Sequence, residues 1–217
     1  MLQALNADLL RTHRCYFGGG TAMVLRKAEY RESADIDFLV SDINGYRELR
    51  ELLTSTAGVN ALTRLPLKPL REIRADQYGI RTLLDVEGDP IKFEIIHEGR
   101  IALDVPDSVD QVCGVTTLSS LDMAASKLLA NADRWADRST FSRDLIDLAM
   151  LTPSAAQLDT AIGKAANAYG NAIERCLSSA ISYLADNPTR LGQCMRALQM
   201  FDTPESVLWQ NITRLGR

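Results

Sequence analysis

The chain has 217 residues, of which 46% are hydrophobic and 24% charged, and its formal net charge is -4. This balance is typical of a globular protein and argues against a dedicated non-specific nucleic-acid binder, which is usually basic. The four cysteines form no C-x-x-C pair and only two histidines accompany them, which argues against a zinc site. The first residues lack the basic start and apolar run of a signal peptide, so we expect a cytoplasmic protein with no membrane partner.

The first half of the chain alternates predicted helices and strands. Apolar residues three and four apart predict the helices, and short apolar runs that end at turn residues predict buried strands. Two such runs flank Glu87-Gly88-Asp89-Pro90, whose turn chemistry predicts a hairpin. In chain order we expect a helix at 2–13, a strand at 15–17, a glycine turn at 18–20, a helix at 21–27, a strand at 36–40, a helix at 46–55 and hairpin strands at 77–86 and 91–97.

Strand signals stop near Thr116, and the remainder of the chain is predicted to be helical. Proline, glycine and asparagine residues separate the helical segments. We therefore predict an α/β domain at residues 1–116 followed by a helical domain at residues 117–217. The predicted helices cover 118–133, 142–151, 155–169, 171–185, 189–201 and 204–215.

Asp35 and Asp37 stand at the start of the strand predicted at 36–40. Residues i and i+2 of a strand point to the same face, so both carboxylates would project together while Ile36 faces the core. Two carboxylates about 4 Å apart repel by roughly 4 kcal/mol at an effective dielectric constant of about 20. A cation between them offsets that repulsion, and hard oxygen ligands beside an open position suit Mg²⁺. The alternative is a solvated strand edge.

Gly19, Gly20 and Thr21 join the first strand to the following helix. Glycines allow backbone N–H groups to approach a phosphate closely, and a helix N-terminus favours an anion. Taken alone, the tripeptide could equally be a tight turn in which Thr21 caps the helix. Because this turn and the aspartate pair each lie at a strand terminus, together they predict one site for a phosphate and a metal ion.

The residues Gly19-Gly20-Thr21-Ala22, then Leu25, then Arg31-x-Ser33-x-Asp35-Ile36-Asp37-Phe38 resemble the AbiEii/AbiGii-type nucleotidyltransferases, which are toxins of bacterial toxin–antitoxin and abortive-infection systems. The resemblance continues more loosely through Lys92-Phe93-Glu94-Ile95-Ile96, Lys127 and Arg143-Asp144-Leu145-Ile146-Asp147-Leu148. It implies an α/β fold with a polymerase-β-like nucleotidyltransferase core, a mixed sheet with helices, followed by a C-terminal helical bundle.

The resemblance also implies the chemistry. A nucleoside monophosphate moves from an NTP to an acceptor, with one or two Mg²⁺ ions, or Mn²⁺, as the cofactor. The implied nucleotide-binding residues are Gly19, Gly20, Thr21, Arg31, Ser33 and Lys127. The implied metal ligands are Asp35, Asp37 and Glu94. The implied catalytic residues are Asp35, Asp37, Glu94, Lys127 and Asp144, with Asp144 pairing either with Lys127 or with a substrate group.

The later residues have structural alternatives. Glu94 alternates with apolar neighbours, so it could equally be an edge-strand carboxylate that faces water. Lys127 could reach solvent from an apolar helix, and Asp144 could belong to an ion-pair cluster within its own helix. Basic residues between the two halves predict either an RNA-phosphate contact or a solvated face, and they are Arg64, Lys68, Arg71, Arg74 and Arg81.

By resemblance, the acceptor is the 3′ end of a tRNA or another RNA, and the expected protein partner is a cognate antitoxin. Two alternatives stay open. The same fold could act on a protein or a small molecule, or the chain could be an inactive relative that binds a nucleotide or a partner. The intact glycine turn and aspartate pair favour the enzyme.

Overall fold

The computed structural model describes residues 1–216, which form two compact units. The first, which we call the sheet unit, contains Met1–Ala22 and Ser33–Ser119. The second, which we call the helical unit, contains Met23–Glu32 and the chain from Ser120 onward. The chain therefore leaves the sheet unit within one helix, returns to it at Ser33, and leaves it again after Ser119.

The sheet unit contains eight strands and three α-helices, all within the described residues. The helices are α1 (Ala7–Thr12), α2 (Gly19–Arg26), whose first residues belong to this unit, and α3 (Ile43–Thr54). The strands are β1 (Tyr16–Gly18), β2 (Ile36–Val40), β3 (Lys68–Pro69), β4 (Arg74–Ala75), β5 (Gly79–Val86), β6 (Asp89–His97), β7 (Gln111–Val112) and β8 (Val115–Thr116).

Six of these strands form a mixed sheet with the order β1-β2-β6-β5-β3, in which β4 pairs with β5 beside that path. β2 and β6 run parallel, whereas the other pairs in the sheet are antiparallel. β7 and β8 form a separate two-stranded ribbon. β2 and β6 therefore lie inside the sheet, with neighbours on both sides.

One face of the sheet is packed with aromatic side chains. Phe17, Phe38 and Phe93 come from three adjacent strands and are at most 1% exposed. Their rings pack at centroid distances of 5.5 and 5.8 Å, within the range that aromatic pairs prefer. Because successive strand residues point to opposite faces, Asp37 and Glu94, which adjoin Phe38 and Phe93, project from the other face.

The helical unit packs its first long helix against three others. The helices are α4 (Ser120–Arg134), α5 (Arg143–Leu151), α6 (Ala155–Tyr169), α7 (Ala172–Asp186), α8 (Arg190–Ala197) and α9 (Glu205–Thr213). α4 contacts α5, α6 and α7 through buried leucine and alanine side chains. None of the helices within residues 1–216 combines the length and hydropathy that a membrane crossing requires.

The predicted order of an α/β part followed by helices is confirmed, and so is the hairpin, whose two-residue turn is Glu87-Gly88. The single helix predicted at 2–13 is wrong. Leu2–Ala4 form a short 3-10 turn, and α1 begins after Asn6, whose side chain accepts a hydrogen bond from the backbone N–H of Leu9. Leu5 between them forms a β-bridge with Thr63, which interrupts the helix.

Candidate active site

The turn between β1 and α2 needs glycine for two reasons. Gly19 has a φ of +67°, a left-handed conformation that other residues adopt only at a cost. A Cβ atom at Gly19 would also overlap the Asp37 carboxylate and would lie 2.8 Å from the Asp37 Cβ. At Gly18, a Cβ atom would lie 2.5 Å from Leu39 and 2.9 Å from Leu118. The glycines therefore bring the backbone at the start of α2 directly against Asp37.

The first turn of α2 is a source of hydrogen-bond donors. The first four backbone N–H groups of an α-helix have no partner within the helix, and they form the positive end of its dipole. In α2 this turn starts at Gly19, beside the Asp37 side chain. The geometry suits a phosphate that is bound by backbone N–H groups and carries a cation shared with Asp37.

The Thr21 hydroxyl forms hydrogen bonds with other groups of the protein. Thr21 is buried, and its hydroxyl donates to the backbone carbonyl of Asp35 and lies 2.9 Å from the Ser33 hydroxyl. A hydroxyl has one proton, so Ser33 must be the donor to Thr21. These two bonds hold the segment 33–35 against α2 and fix the backbone of Asp35. Only the backbone N–H of Thr21 remains for a phosphate, and nucleotide contacts of Thr21 and Ser33 stay predictions.

Three carboxylates lie on the face of the sheet opposite the phenylalanines. Asp37 is aligned with Gly18 on β1 and with Glu94 on β6, and Asp35 precedes it by two residues on an exposed position. The Glu94 side chain is 12% exposed, with Oε1 3.0 Å from Arg81 Nε and Oε2 2.6 Å from Lys92 Nζ. The edge-strand alternative for Glu94 is therefore wrong, because β6 lies between β2 and β5.

The carboxylates can be tested for their fit to a metal ion. Within residues 1–216, no group of three or more His, Cys, Asp or Glu side chains is arranged to hold one. Asp35 and Asp37 supply two carboxylates, whereas both oxygens of Glu94 are bonded to cationic side chains. Mg²⁺ usually keeps several waters and binds through one or two carboxylates together with substrate phosphates. The aspartate pair fits an ion that is held jointly with a triphosphate, and Glu94 as a third ligand stays a prediction.

The helical unit contains a buried ion-pair network. Lys127 Nζ lies 3.1 Å from Asp144 Oδ1 and 2.7 Å from Asp147 Oδ2. Arg134 donates two hydrogen bonds to Asp144, at 2.6 and 3.0 Å. The predicted pairing of Asp144 with Lys127 is confirmed. Both alternatives are wrong, because the cationic partners of Asp144 lie on α4 rather than on its own helix, and because the Lys127 side chain is only 8% exposed.

Asp147 is the central acceptor of this network. Arg31 Nε and Nη2 donate to its two oxygens at 2.7 and 2.9 Å, and the Tyr30 hydroxyl donates at 2.7 Å. Arg31 Nη1 donates to the backbone carbonyl of Glu32. These bonds explain why Met23–Glu32, placed by the sequence in the first domain, belongs to the helical unit. The Arg31 guanidinium is thus bonded to Asp147 and to the backbone of Glu32. A contact between Arg31 and the nucleotide stays a prediction.

Asp147 was not among the predicted site residues, and only its spacing of three from Asp144 pointed to a shared helix face. Burial by itself would raise the pKa of both carboxyl groups, but the neighbouring cations outweigh it. The pKa of Asp144 falls from 3.8 to about 2, chiefly through Lys127 and Arg134. The pKa of Asp147 is also lowered, chiefly through Lys127 and Arg31. Lys127, Arg134 and Arg31 therefore keep Asp144 and Asp147 ionised, and Arg134 also faces the carboxylate of Asp133.

The basic residues predicted to contact RNA are mostly paired with carboxylates. Arg64 lies 2.6 Å from Asp8, and Lys68 lies 2.8 Å from Asp85. Arg81 lies 3.1 Å from Asp76 and also contacts Glu94. The stretch is thus less electropositive than its sequence indicates.

Comparisons with known proteins identify relatives of the chain. A family model described as the nucleotidyl transferase AbiEii toxin of a type IV toxin–antitoxin system matches residues 1–211. A candidate nucleotidyltransferase from H. pylori has a similar structure, with a TM-score of 0.55 and 18% identity, over 96% of this chain and 89% of that chain. The structure of JHP933 from Helicobacter pylori gives a TM-score of 0.49 and 19% identity, over 97% of this chain and 84% of that chain. No curated protein matches the chain.

Proposed function

The chain belongs to the AbiEii nucleotidyltransferase toxin family of type IV toxin–antitoxin systems, and from this premise we propose that it transfers a nucleoside monophosphate from an NTP to a hydroxyl group of an RNA. The observation that carries the proposal is the close approach of Gly19 to Asp37. It puts the first backbone N–H groups of α2 next to the Asp37 carboxylate, an arrangement that supports binding of a phosphate together with a metal ion. Catalysis of phosphoryl transfer depends mainly on such positioning and on charge stabilisation.

Each group at this point has a proposed role. Backbone N–H groups from Gly19, Gly20 and Thr21 bind the triphosphate, and the Thr21 and Ser33 hydroxyls keep Asp35 in position. Asp35 and Asp37 hold one or two Mg²⁺ ions, or Mn²⁺. When bound, the metal supplies Lewis-acid stabilisation of the charge that develops on the transferred phosphoryl group.

The proposed reaction is an in-line displacement at the α-phosphorus of the NTP. The acceptor oxygen forms a bond to the α-phosphorus, and the bond from that phosphorus to the α–β bridging oxygen breaks, so pyrophosphate leaves with the electron pair. The acceptor hydroxyl loses its proton to a base. Glu94 accepts one hydrogen bond on each oxygen, and a carboxylate has about four acceptor positions in all. We propose that Glu94 either accepts this proton or binds a second metal ion.

The helical unit contributes the remaining proposed residues. Lys127 is held by Asp144 and Asp147, and Arg31 in turn is bonded to Asp147. These two carboxylates hold the Lys127 ammonium group in one position, which supports Lys127 as a phosphate-binding residue. In this proposal Asp144 keeps the ammonium group of Lys127 oriented, and Arg31, which is bonded to Asp147, remains a proposed nucleotide ligand.

The reaction can be tested directly. The purified chain is incubated with total RNA, Mg²⁺ and each of the four NTPs, labelled at the α-phosphate. We expect label in RNA with at least one NTP, and none without a divalent metal. Asp37→Asn should reduce incorporation by at least about 100-fold, because the lost electrostatic stabilisation is realised mainly in the transition state. Asp202→Asn, which removes an equal charge from an exposed position, is the matched control.

The outcomes separate the acceptors. Label in RNA that depends on Asp37 supports the proposal. Label only in protein or in a small product would transfer the same chemistry to another acceptor and refute the RNA assignment. Absence of label from every fraction with all four NTPs would refute the proposed reaction.

The family also supports a protein partner. A type IV toxin is encoded with an antitoxin, so we propose that a cognate antitoxin opposes the growth inhibition caused by this chain. Co-expression of the adjacent small gene product tests this. Restored growth with an unchanged amount of toxin is expected, and persistent inhibition with every neighbouring gene product would contradict it.

A further inference from the structure

A groove of about 960 Å³ lies in the sheet unit between α3 and the strands β5 and β6. Its volume is at the upper end of the range of about 300–1,000 Å³ found for ligand sites. Its walls include arginines, tyrosines and two glutamates. Its charged and aromatic lining includes Arg47, Arg50, Tyr78, Arg81, Glu94 and Arg100.

The groove is positively charged within an acidic chain. The two glutamates are neutralised, since Glu94 pairs with Arg81 and the buried Glu98 pairs with Arg100 at 2.7 Å. Arg47 and Arg50 on α3 are exposed, and neither forms an ion pair with any residue in 1–216. The chain as a whole has a net charge of -4. The free arginines therefore suit a polyanion, which can release counterions when it binds.

The groove also offers aromatic surfaces. Tyr78 lines the groove and is 66% exposed, so its ring is accessible to a ligand. Nearby, the Tyr46 ring stacks on His97 at 4.9 Å and its hydroxyl donates to the backbone carbonyl of Asp76, so this pair is rigid. Exposed aromatic rings stack on unpaired bases, whereas a duplex keeps its bases stacked on one another.

The groove and the candidate active site share Glu94. Glu94 lines the groove and is aligned across the sheet with Asp37 on one side and with Arg81 on the other. Arg74 on β4 is aligned next to Arg81. A row of side chains thus runs across one face from acidic to basic. A chain of phosphates laid along the basic end would bring its terminus to the carboxylates.

We propose that this groove binds the single-stranded end of the RNA acceptor, with phosphates at Arg47 and Arg50 and a base stacked on Tyr78. The identification of the bound RNA as the acceptor rests on the proposed function. The binding of RNA to the groove can be measured without it. The proposed function assigns the triphosphate of the NTP to the first turn of α2, so RNA rather than NTP is the expected occupant of the groove.

The test measures binding of a short, labelled, mixed-sequence single-stranded RNA to the full chain by fluorescence anisotropy, without NTP, over a series of salt concentrations. Arg47→Gln/Arg50→Gln should weaken binding at least about tenfold. It should also make the slope of log K against log salt shallower by about 1.4, which is two phosphates at about 0.7 each. Tyr78→Ala should weaken binding at least about fivefold without changing that slope, and Tyr78→Phe should bind normally.

The matched control is Arg175→Gln/Arg214→Gln, which removes the same charge from exposed positions in the helical unit. We expect it to bind RNA like the wild type. Equal weakening by both arginine pairs, or no binding of RNA by the wild type, would overturn the proposal. Thermal unfolding of each variant shows whether it folds, and binding of a fluorescent NTP should be unchanged.

Three further outcomes distinguish RNA binding in the groove from another occupant and from the transfer reaction. If the groove variants bind NTP weakly but RNA normally, or lose only the neutralisation by an antitoxin, the groove has another occupant and the proposal fails. If RNA is labelled equally well by the groove variants at limiting RNA, the groove fails although the transfer reaction stands. If RNA binds in the expected way but is never labelled, the groove stands and the RNA-transfer function fails.

Discussion

Asp147→Asn is expected to destabilise the helical unit strongly. Asp147 is completely buried and accepts hydrogen bonds from Arg31 and Tyr30 while it pairs with Lys127. Asparagine has the same shape. It carries no charge, however, and it replaces one acceptor oxygen with an NH₂ group that donates to no cation.

The size of this loss of stability depends on which buried group loses its partner. Lys127 would keep Asp144 at 3.1 Å, whereas Arg31 would keep only the backbone carbonyl of Glu32. Removing one partner of a buried ion pair costs about 3–5 kcal/mol, and a hydrogen bond to the remaining amide oxygen recovers about 1 kcal/mol. We expect the free energy of unfolding to fall by about 2–4 kcal/mol.

Urea unfolding followed by circular dichroism measures this loss. With a slope of about 1–3 kcal/mol per molar urea, the midpoint should fall by about 0.7 M or more. Asp8→Asn, which breaks exposed pairs with Arg64 and Arg11, should cost no more than about 1 kcal/mol. Arg31→Met/Asp147→Asn should regain part of the loss, because the uncompensated cation is gone. An unchanged midpoint for Asp147→Asn, or strictly additive losses in the double variant, would refute this reasoning.

Three further results are expected. The pKa of Asp144 is lowered from 3.8 to about 2, which contributes about 2 kcal/mol to the free energy of unfolding above pH 3.8. This contribution is lost as the pH falls towards about 2. Thermal unfolding should therefore show a loss of stability at acid pH in the wild type and a smaller loss in Asp144→Asn. Thr21→Val should lower the transfer rate about tenfold with little change in NTP affinity, because Asp35 loses its support, whereas Thr21→Ser should be active; equal losses would argue against a positioning role. Asp37→Ala should abolish growth inhibition while the protein still folds, and an equally toxic variant would show that toxicity does not need this carboxylate.

Much of the fold could be predicted from local patterns. The strand-turn-helix at Tyr16–Arg26 and the hairpin at Gly79–His97 are dictated by glycine conformation and by apolar runs a few residues long. The predicted helices from Ser120 onward match the observed ones closely, because their proline and glycine boundaries act locally. The N-terminal helix failed where Leu5 pairs with Thr63, a contact that no local pattern records.

The sequence indicated which residues would form the candidate site, but it did not indicate their hydrogen bonds and ion pairs. The proximity of the glycine turn to Asp37 agrees with the expectation of a single phosphate-and-metal site. The same residues turned out to have partners that their spacing did not reveal: the Thr21 hydroxyl faces Asp35 and Ser33, and Glu94 is bonded to Arg81 and Lys92.

The sequence by itself determined the elements and the residue types at their ends, because backbone conformation and amphipathic periodicity act over one or two turns. Tertiary structure decided how each charge is used. Arg31 and Asp147 are 116 positions apart, and Arg81 reaches Glu94 only because β5 pairs with β6 in one register. A buried or half-buried charge takes whichever opposite charge the packing brings within about 3 Å, and that choice depends on segments that lie far apart in the chain.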